Sequence, residues 1–437
     1  MQIRPARIAV QSRCVIVIGE FDRNLEKYSE VIVKVGLNLQ PGQRLIIGAP
    51  FFGIDGTPLE AYSLVRKITK SAYEAGAKYV AVNWDDEELQ RIRVQNAAVD
   101  TMSEFATWKN EVAINYVDNG DAIMVVLAQN PDLLGGLEPE KVQIKQKAEA
   151  EQLHKLFSKL AAGATNWLVV GASIGSWAAK VFPELPPDVG KARLWDTLFE
   201  VCRVNQDDPV ARWERHVAEL AKRAAYLNDR RYAAFKYNAP GTDLTVGLPE
   251  GHMWHSGSLT TRNGITFVAN IPTEEIFTMP HKRRIDGVVR ATRPLSYQGR
   301  LIENFTLKFS EGHVVEAKAE FGEDALNNLL NTDEASRSLG EVSLVPNSSP
   351  ISKSGMLFYN TLFDENASDH LALGNAYRFS MKGGEEMTAE EFSAVGGNES
   401  MTHADFMMGS GEMDVDGIAA DGTAEPIMRQ GEWTFKV

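Results

Sequence analysis

Cysteine is nearly absent: Cys14 and Cys202 are the only two among 437 residues. They lie far apart in dissimilar contexts, which excludes a disulfide framework and suits a reducing cytoplasm. Basic charge is also short. Lys and Arg number 45 against 59 Asp and Glu, a net charge of -14, and nucleic-acid binding needs clustered cations to meet phosphate, so that partner class is excluded. No apolar run is long enough to span a membrane. Residues 1–20 hold three arginines and one short apolar patch, Cys14 to Ile18, with no small-residue cleavage site, which argues against a secretory signal. Gly171-Ala-Ser-Ile-Gly175 has neither the Gly-Lys-Ser/Thr ending of a phosphate loop nor a GxGxxG pattern, and reads as a strand-to-helix turn.

The chain is too long for a single hydrophobic core, and its texture changes along its length. Up to about Tyr237, short Val/Ile-rich runs alternate with helical periodicity. Candidate strands are Arg44 to Ala49, Tyr79 to Trp84, Ala122 to Ala128 and Trp167 to Gly171; candidate helices are Asn24 to Val35, Ala61 to Ala75 and Glu140 to Leu160. That alternation predicts an α/β layer of largely parallel strands. Asp207-Asp-Pro opens a further helix, with acids at its positive end and proline in its first turn.

From Ala239 onward, short β-like runs separated by turns predict an α+β, largely antiparallel region: Leu244 to Val246, Ile265 to Ala269, Gly287 to Thr292, Phe305 to Phe309 and Val314 to Ala319. Ser310-Glu-Gly-His313 reads as a hairpin connection, and Asp324 to Asn331 as a helix. The expected division is 1–20 as an atypical extension, 21–238 as an α/β domain and 239–437 as a catalytic metal-binding domain.

The chemistry concentrates late. Only eight histidines occur in the chain, yet FDENASDHLALGNAY (Phe363 to Tyr377) places Glu365, His370 and Tyr377 close together, and His403-Ala404-Asp405 follows. Imidazole nitrogen and carboxylate oxygen suit borderline divalent metals, and one ion draws three or four such ligands. Two clusters with upstream glutamates offer more than one ion needs. Taken singly, each residue could equally serve local hydrogen bonding. His252 and His255 in GHMWHSG have no acid cluster beside them, and His281 could line a cleft or a surface loop.

Four motifs in order, Asn270-Ile-Pro-Thr-Glu-Glu-Ile-Phe-Thr, Leu339-Gly-Glu-Val, Glu365 to Tyr377, and Thr402-His-Ala-Asp-Phe-Met-Met-Gly409, give the chain from about Phe21 a resemblance to the thermophilic-type metal-dependent aminopeptidases, the family of aminopeptidases T and S. Carried over by motif, the resemblance implies metal ligands at Glu275, Glu341, Glu365, His370, His403 and Asp405, with Tyr377 also at the metal centre. It further implies two divalent ions per chain (Zn, Co or Mg), short peptides with a free N-terminus as substrates, and a homodimer with an enclosed active site. The four carboxylates balance two M2+ ions with both histidines neutral. Glu274, beside Glu275, is a candidate general base, although neighbours on an extended chain face opposite sides. Tyr377 could stabilise an oxyanion or ligate a metal.

Two other classes compete. His370, His403 and Asp405 alone could form the two-His, one-carboxylate face of a mononuclear non-haem iron ring-cleaving dioxygenase. Glu275, Glu341 and Glu365 would have no use there as ligands. A catalytically silent binding protein would not need the full set.

Overall fold

The computed structural model describes residues 6–51, 53–297 and 300–437. Of the N-terminal extension, residues 1–5 lie outside the described residues, and Ala6–Val31 forms one helix running into Ile32–Gly36. The Cys14 side chain also lies outside the described residues, while Cys202 is a buried free thiol.

The first core forms around a five-stranded sheet in which every pairing is parallel: Asn270–Ile271, Trp167–Gly171, Ala122–Leu127, Arg44–Ile47 and Tyr79–Val82, in that order. Its central strands are continuous apolar runs because both faces are covered. The helix Tyr62–Glu74 shows why: Leu64, Val65, Ile68 and Ala72 fall on one buried stripe.

The edge strand is unexpected. Asn270–Ile271 comes from the C-terminal half of the chain and pairs with Val169 and Val170. Phe358, Leu362, Phe363 and Ala367 also belong to the first core. The Phe363 ring lies so close to Gly171 that an added Cβ there would meet it at 2.6 Å. The segments that deliver Glu275 and Glu365 to the site are therefore anchored on the first core.

The second core lies between two sheets whose pairings are all antiparallel. An eight-stranded sheet contributes Leu244, Val246, Val289, Leu307 and Val415; a five-stranded sheet contributes Ile276, Val342, Leu344, Leu371, Leu373 and Phe406. Thr306–Ser310 and His313–Lys318 form the expected hairpin, with Glu311 and Gly312 both at positive φ (48° and 85°). That is the two-residue turn that matches strand twist. The expected helix is present at Glu323–Leu330.

The helix Pro209–Arg230 joins the two cores. Asp208 caps it by accepting from Ala211 N (3.0 Å), Trp213 packs in the first core, and Leu220, Ala224 and Leu227 pack in the second.

Candidate metal centre

Strand alternation builds the site. In Leu339–Leu344, Val342 and Leu344 enter the core, so Glu341 and Ser343 face the other way. Leu373 and Leu371 do the same for His370 in His370–Gly374, and Ala404 and Phe406 for His403 and Asp405 in His403–Met407. A register irregularity between Leu339 and Glu341 lets Leu339 and Val342 both point inward. Gly340 at that irregularity passes so close to the backbone of Asn375 that a Cβ would meet its carbonyl oxygen at 2.2 Å.

Register then aligns the rows. His255, Phe277, Ser343, His370 and Met407 are cross-strand partners in one line over all five strands, and Glu341, Ala372 and Asp405 form the next line on the same face. Glu275 enters from the turn before Ile276–Thr278. Its Oε2 accepts from Ser343 Oγ (2.8 Å) and lies 3.0 Å from His370 Nε2.

Ligand-capable atoms gather in two triads, Glu275–Glu341–His370 and Glu341–His403–Asp405, each with its atoms within 4.8 Å of one another. Glu341 belongs to both: Oε1 is 3.6 Å from His370 Nε2, and Oε2 is 3.7 Å from His403 Nε2. Each histidine directs Nδ1 to a backbone carbonyl, Ser368 O at 3.2 Å for His370 and Asn375 O at 2.8 Å for His403. That arrangement fixes the orientation a metal-ligating imidazole needs, leaving Nε2 aimed into the cluster.

Asp405 Oδ1 is buried without a hydrogen-bond donor, and His403 Nε2 is 3.5 Å away. An orphaned carboxylate oxygen in such a place fits a cation. Electrostatics agree. Burial and the neighbouring Asp405 and Glu275 push the Glu341 pKa up to about 7, and burial with the same acids holds Glu365 well above the usual carboxylate range. Burial would lower the His403 pKa, but Asp405 and Glu341 overcome it and raise it to about 10; Glu275 and Glu341 likewise hold His370 high. A negative pocket that recruits protons this strongly would recruit divalent cations in their place.

Glu365 faces the same pocket but stands apart from both triads. Tyr377 lies at its mouth, with its ring 5.0 Å from that of His403. Burial of its hydroxyl and the charges of Glu341 and Asp405 keep that hydroxyl protonated far above its ordinary pKa.

Glu274 departs from expectation. Its carboxylate, only 3% exposed, is gripped by Arg203, with Nη1 on Oε1 and Nη2 on Oε2 at 2.7 Å, and His216 Nε2 lies 3.5 Å away. It is turned to the first core, which removes it from the expected general-base role. Arg203, His216 and Asn366 were not foreseen. His216 Nε2 contacts Thr273 O (2.8 Å), and Asn366 Oδ1 accepts from Glu274 N (2.7 Å), so all three hold the turn that presents Glu275. Nothing local in the sequence marks these partners, since Arg203 and Glu274 are 71 residues apart. His252 is engaged by Pro249 O and His255 by Phe379 O, and neither joins a metal-ligating group among the described residues.

Buried imidazoles and carboxylates converging on shared positions define a metalloenzyme centre. The family model for thermophilic metalloproteases (M29) matches residues 21–433. The chain belongs to that family. It is 46% identical to aminopeptidase AmpS of Bacillus subtilis over 96% of this chain and 100% of that protein. It is 44% identical to aminopeptidase T of Thermus thermophilus over 94% and 99%. The solved structure of wild-type AmpT from Thermus thermophilus superposes with a TM-score of 0.88 at 43% identity, covering 95% of this chain and 100% of that one.

Proposed function

We propose that the chain is an aminopeptidase that removes the N-terminal residue from short peptides with the help of two divalent ions. The observation that carries this reading is the pair of triads sharing Glu341. Glu275, Glu341 and His370 would hold one ion; Glu341, His403 and Asp405 would hold the other, with Glu365 as a further ligand. Zinc, cobalt and magnesium all suit such donors when carboxylates predominate over imidazoles. When bound, the ions would supply a deprotonated water at neutral pH and polarise the scissile carbonyl.

The chain's own residues supply the rest. Tyr377 keeps its proton and can donate it in a hydrogen bond to the developing oxyanion. A free α-amine could meet the cluster as the neutral amine or pair with one of its carboxylates, which a blocked terminus could not do. Glu274 anchors the Glu275 turn through Arg203. Family resemblance supports a homodimer and a cytoplasmic setting; among the described residues no helix is long and apolar enough to cross a membrane.

The test combines elemental analysis of metal-reconstituted protein with amino-acid release from matched peptides. Two ions per chain and release only from free N-termini are expected. Saturation at one ion per chain, with iron strongly preferred, would shift support to the mononuclear oxygenase reading.

A further inference from the structure

Between Leu373 and Ala404, no buried apolar residue among the described residues belongs to either large core; Met279, Ala376, Met381 and Phe392 pack in a small cluster of their own. This excursion nevertheless joins the strands that carry His370 and His403, and Gly374 opposite His403 is the last pair of their ladder. Polar contacts hold its two ends, where His403 and Tyr377 stand.

Asn398, 3% exposed, closes the first end. Its Nδ2 donates to Gly374 O (2.6 Å) and Ala335 O (2.8 Å), and its backbone oxygen accepts from Ala376 N (2.8 Å). Asn375, between those two contacts, also donates its own N–H to Thr402 O (2.7 Å). Its carbonyl is thereby fixed as the acceptor for His403 Nδ1 at 2.8 Å. A ligating imidazole depends on such a partner for both its tautomer and its direction.

Asp333 closes the second end. Its carboxylate accepts from Met401 N (2.7 Å) and Ser400 Oγ (2.9 Å) in the loop just before His403, and from Ser336 N (2.8 Å) in its own turn. Burial would raise the Asp333 pKa, but Met401 N, Ser400 and Ser336 outweigh it and hold the carboxyl below its ordinary range. The same turn supplies Ala335 O to Asn398 and Ser338 O to Gly374 N (2.8 Å) before running into Leu339–Leu344, the strand of Glu341.

The two triads thus have unlike supports. The Glu275 turn is fastened by the buried Arg203–Glu274 pair, and Glu365 follows Leu362 and Phe363 of the first core. The His370 side chain is 1% exposed, that of His403 21%. We propose that Asn398 and Asp333 are positioning residues for one ion alone, the ion that Glu341, His403 and Asp405 would hold. Acting through the Asn375 carbonyl, they aim His403 Nε2 at the acids, so this site weakens without them while Glu275, Glu341 and His370 keep theirs. The inference rests on the two-ion reading and deepens it: one ion is seated by the packed cores, and the other, more exchangeable, by a hydrogen-bonded loop.

The experiment titrates metal-free, full-length protein with zinc against a chelator, and follows the imidazole nitrogens of 15N-histidine-labelled protein by NMR, with and without zinc. Asn398→Ala should lower the weaker binding constant about 10- to 100-fold, leave the tighter one within a few-fold of wild type, and remove the exchange protection of His403 Nδ1–H but not that of His370. Asp333→Asn, which keeps its shape but loses acceptor capacity for Met401 N, should act in the same direction, and it serves if the alanine variant does not fold. Asn166→Ala is the control for simple destabilisation. Asn166 is buried in the first core, with Nδ2 on Leu37 O (2.7 Å), at the end of Trp167–Gly171 away from the Glu275 turn; its variant should lower thermal stability and leave both constants unchanged. Equal weakening of both ions in Asn398→Ala, unchanged constants, or a protected His403 Nδ1–H in that variant would overturn the proposal, as would the same selective loss in Asn166→Ala. Saturation of the wild type at one ion would overturn the two-ion reading, and the His403 signal would still decide whether Asn398 positions that imidazole.

Discussion

Arg203 and Glu274 form a buried bidentate pair at the junction of the two cores, with both side chains less than a tenth exposed. Replacing Arg203 with Met leaves the Glu274 carboxylate desolvated and unpaired. The expected loss is about 3–5 kcal/mol of stability, because a buried charge without its partner costs far more than the pair contributes. Arg203→Met with Glu274→Met removes both charges at similar volume and should return stability to near wild type. Metal affinity should behave differently. In each variant Glu275 loses the anchor of its neighbour, and affinity should fall about 10- to 100-fold, as for other residues that orient ligands. Urea unfolding gives the first quantity and competition with a chelator the second. A folded Glu274→Gln variant with wild-type metal affinity and kcat reduced by about 10²–10⁴-fold would refute the anchoring role and restore Glu274 as a general base. Wild-type stability and affinity in Arg203→Met would refute it equally.

Glu341→Gln should weaken binding of both ions together, because Glu341 is common to the two triads; titration showing loss of only one ion would mean that the carboxylate is not shared. Tyr377→Phe should retain both ions and lose about 10²–10³-fold in kcat if the hydroxyl serves the oxyanion, whereas metal loss in that variant would make it a ligand. Burial holds the His252 pKa below its ordinary 6.5. The unfolded chain therefore binds the extra proton first, and this contribution to stability is present above pH 6.5 and lost as pH falls below it. His252→Gln should flatten the decline in thermal stability between pH 6.5 and 5, and an unchanged slope would contradict the assignment.

The central parallel strands were legible because they are buried on both faces and read as unbroken apolar runs; Ala122–Leu127 and Trp167–Gly171 lie within or match the expected ranges. The Ser310–His313 hairpin was legible from its Glu-Gly turn. The residues of the two triads were visible as motifs, but their geometry was not. Val342, Leu371 and Phe406 show the alternation only once register is known, and register is a property of paired strands. Asn270–Ile271 was illegible as a strand because two residues carry no periodicity, and its partners lie about a hundred positions earlier. Arg203 was invisible for the same reason, since its role depends wholly on a distant contact.

The borrowed edge strand limits how this chain can be divided. A fragment ending before residue 270 would leave Trp167–Gly171 with one side of its backbone unpaired, and Trp-Leu-Val-Val-Gly is an apolar β-prone stretch. Such an open edge is a template for strand addition between molecules. The same fragment would lack Phe363, leaving a void over Gly171. Expression of the α/β half alone should therefore yield self-association through that edge.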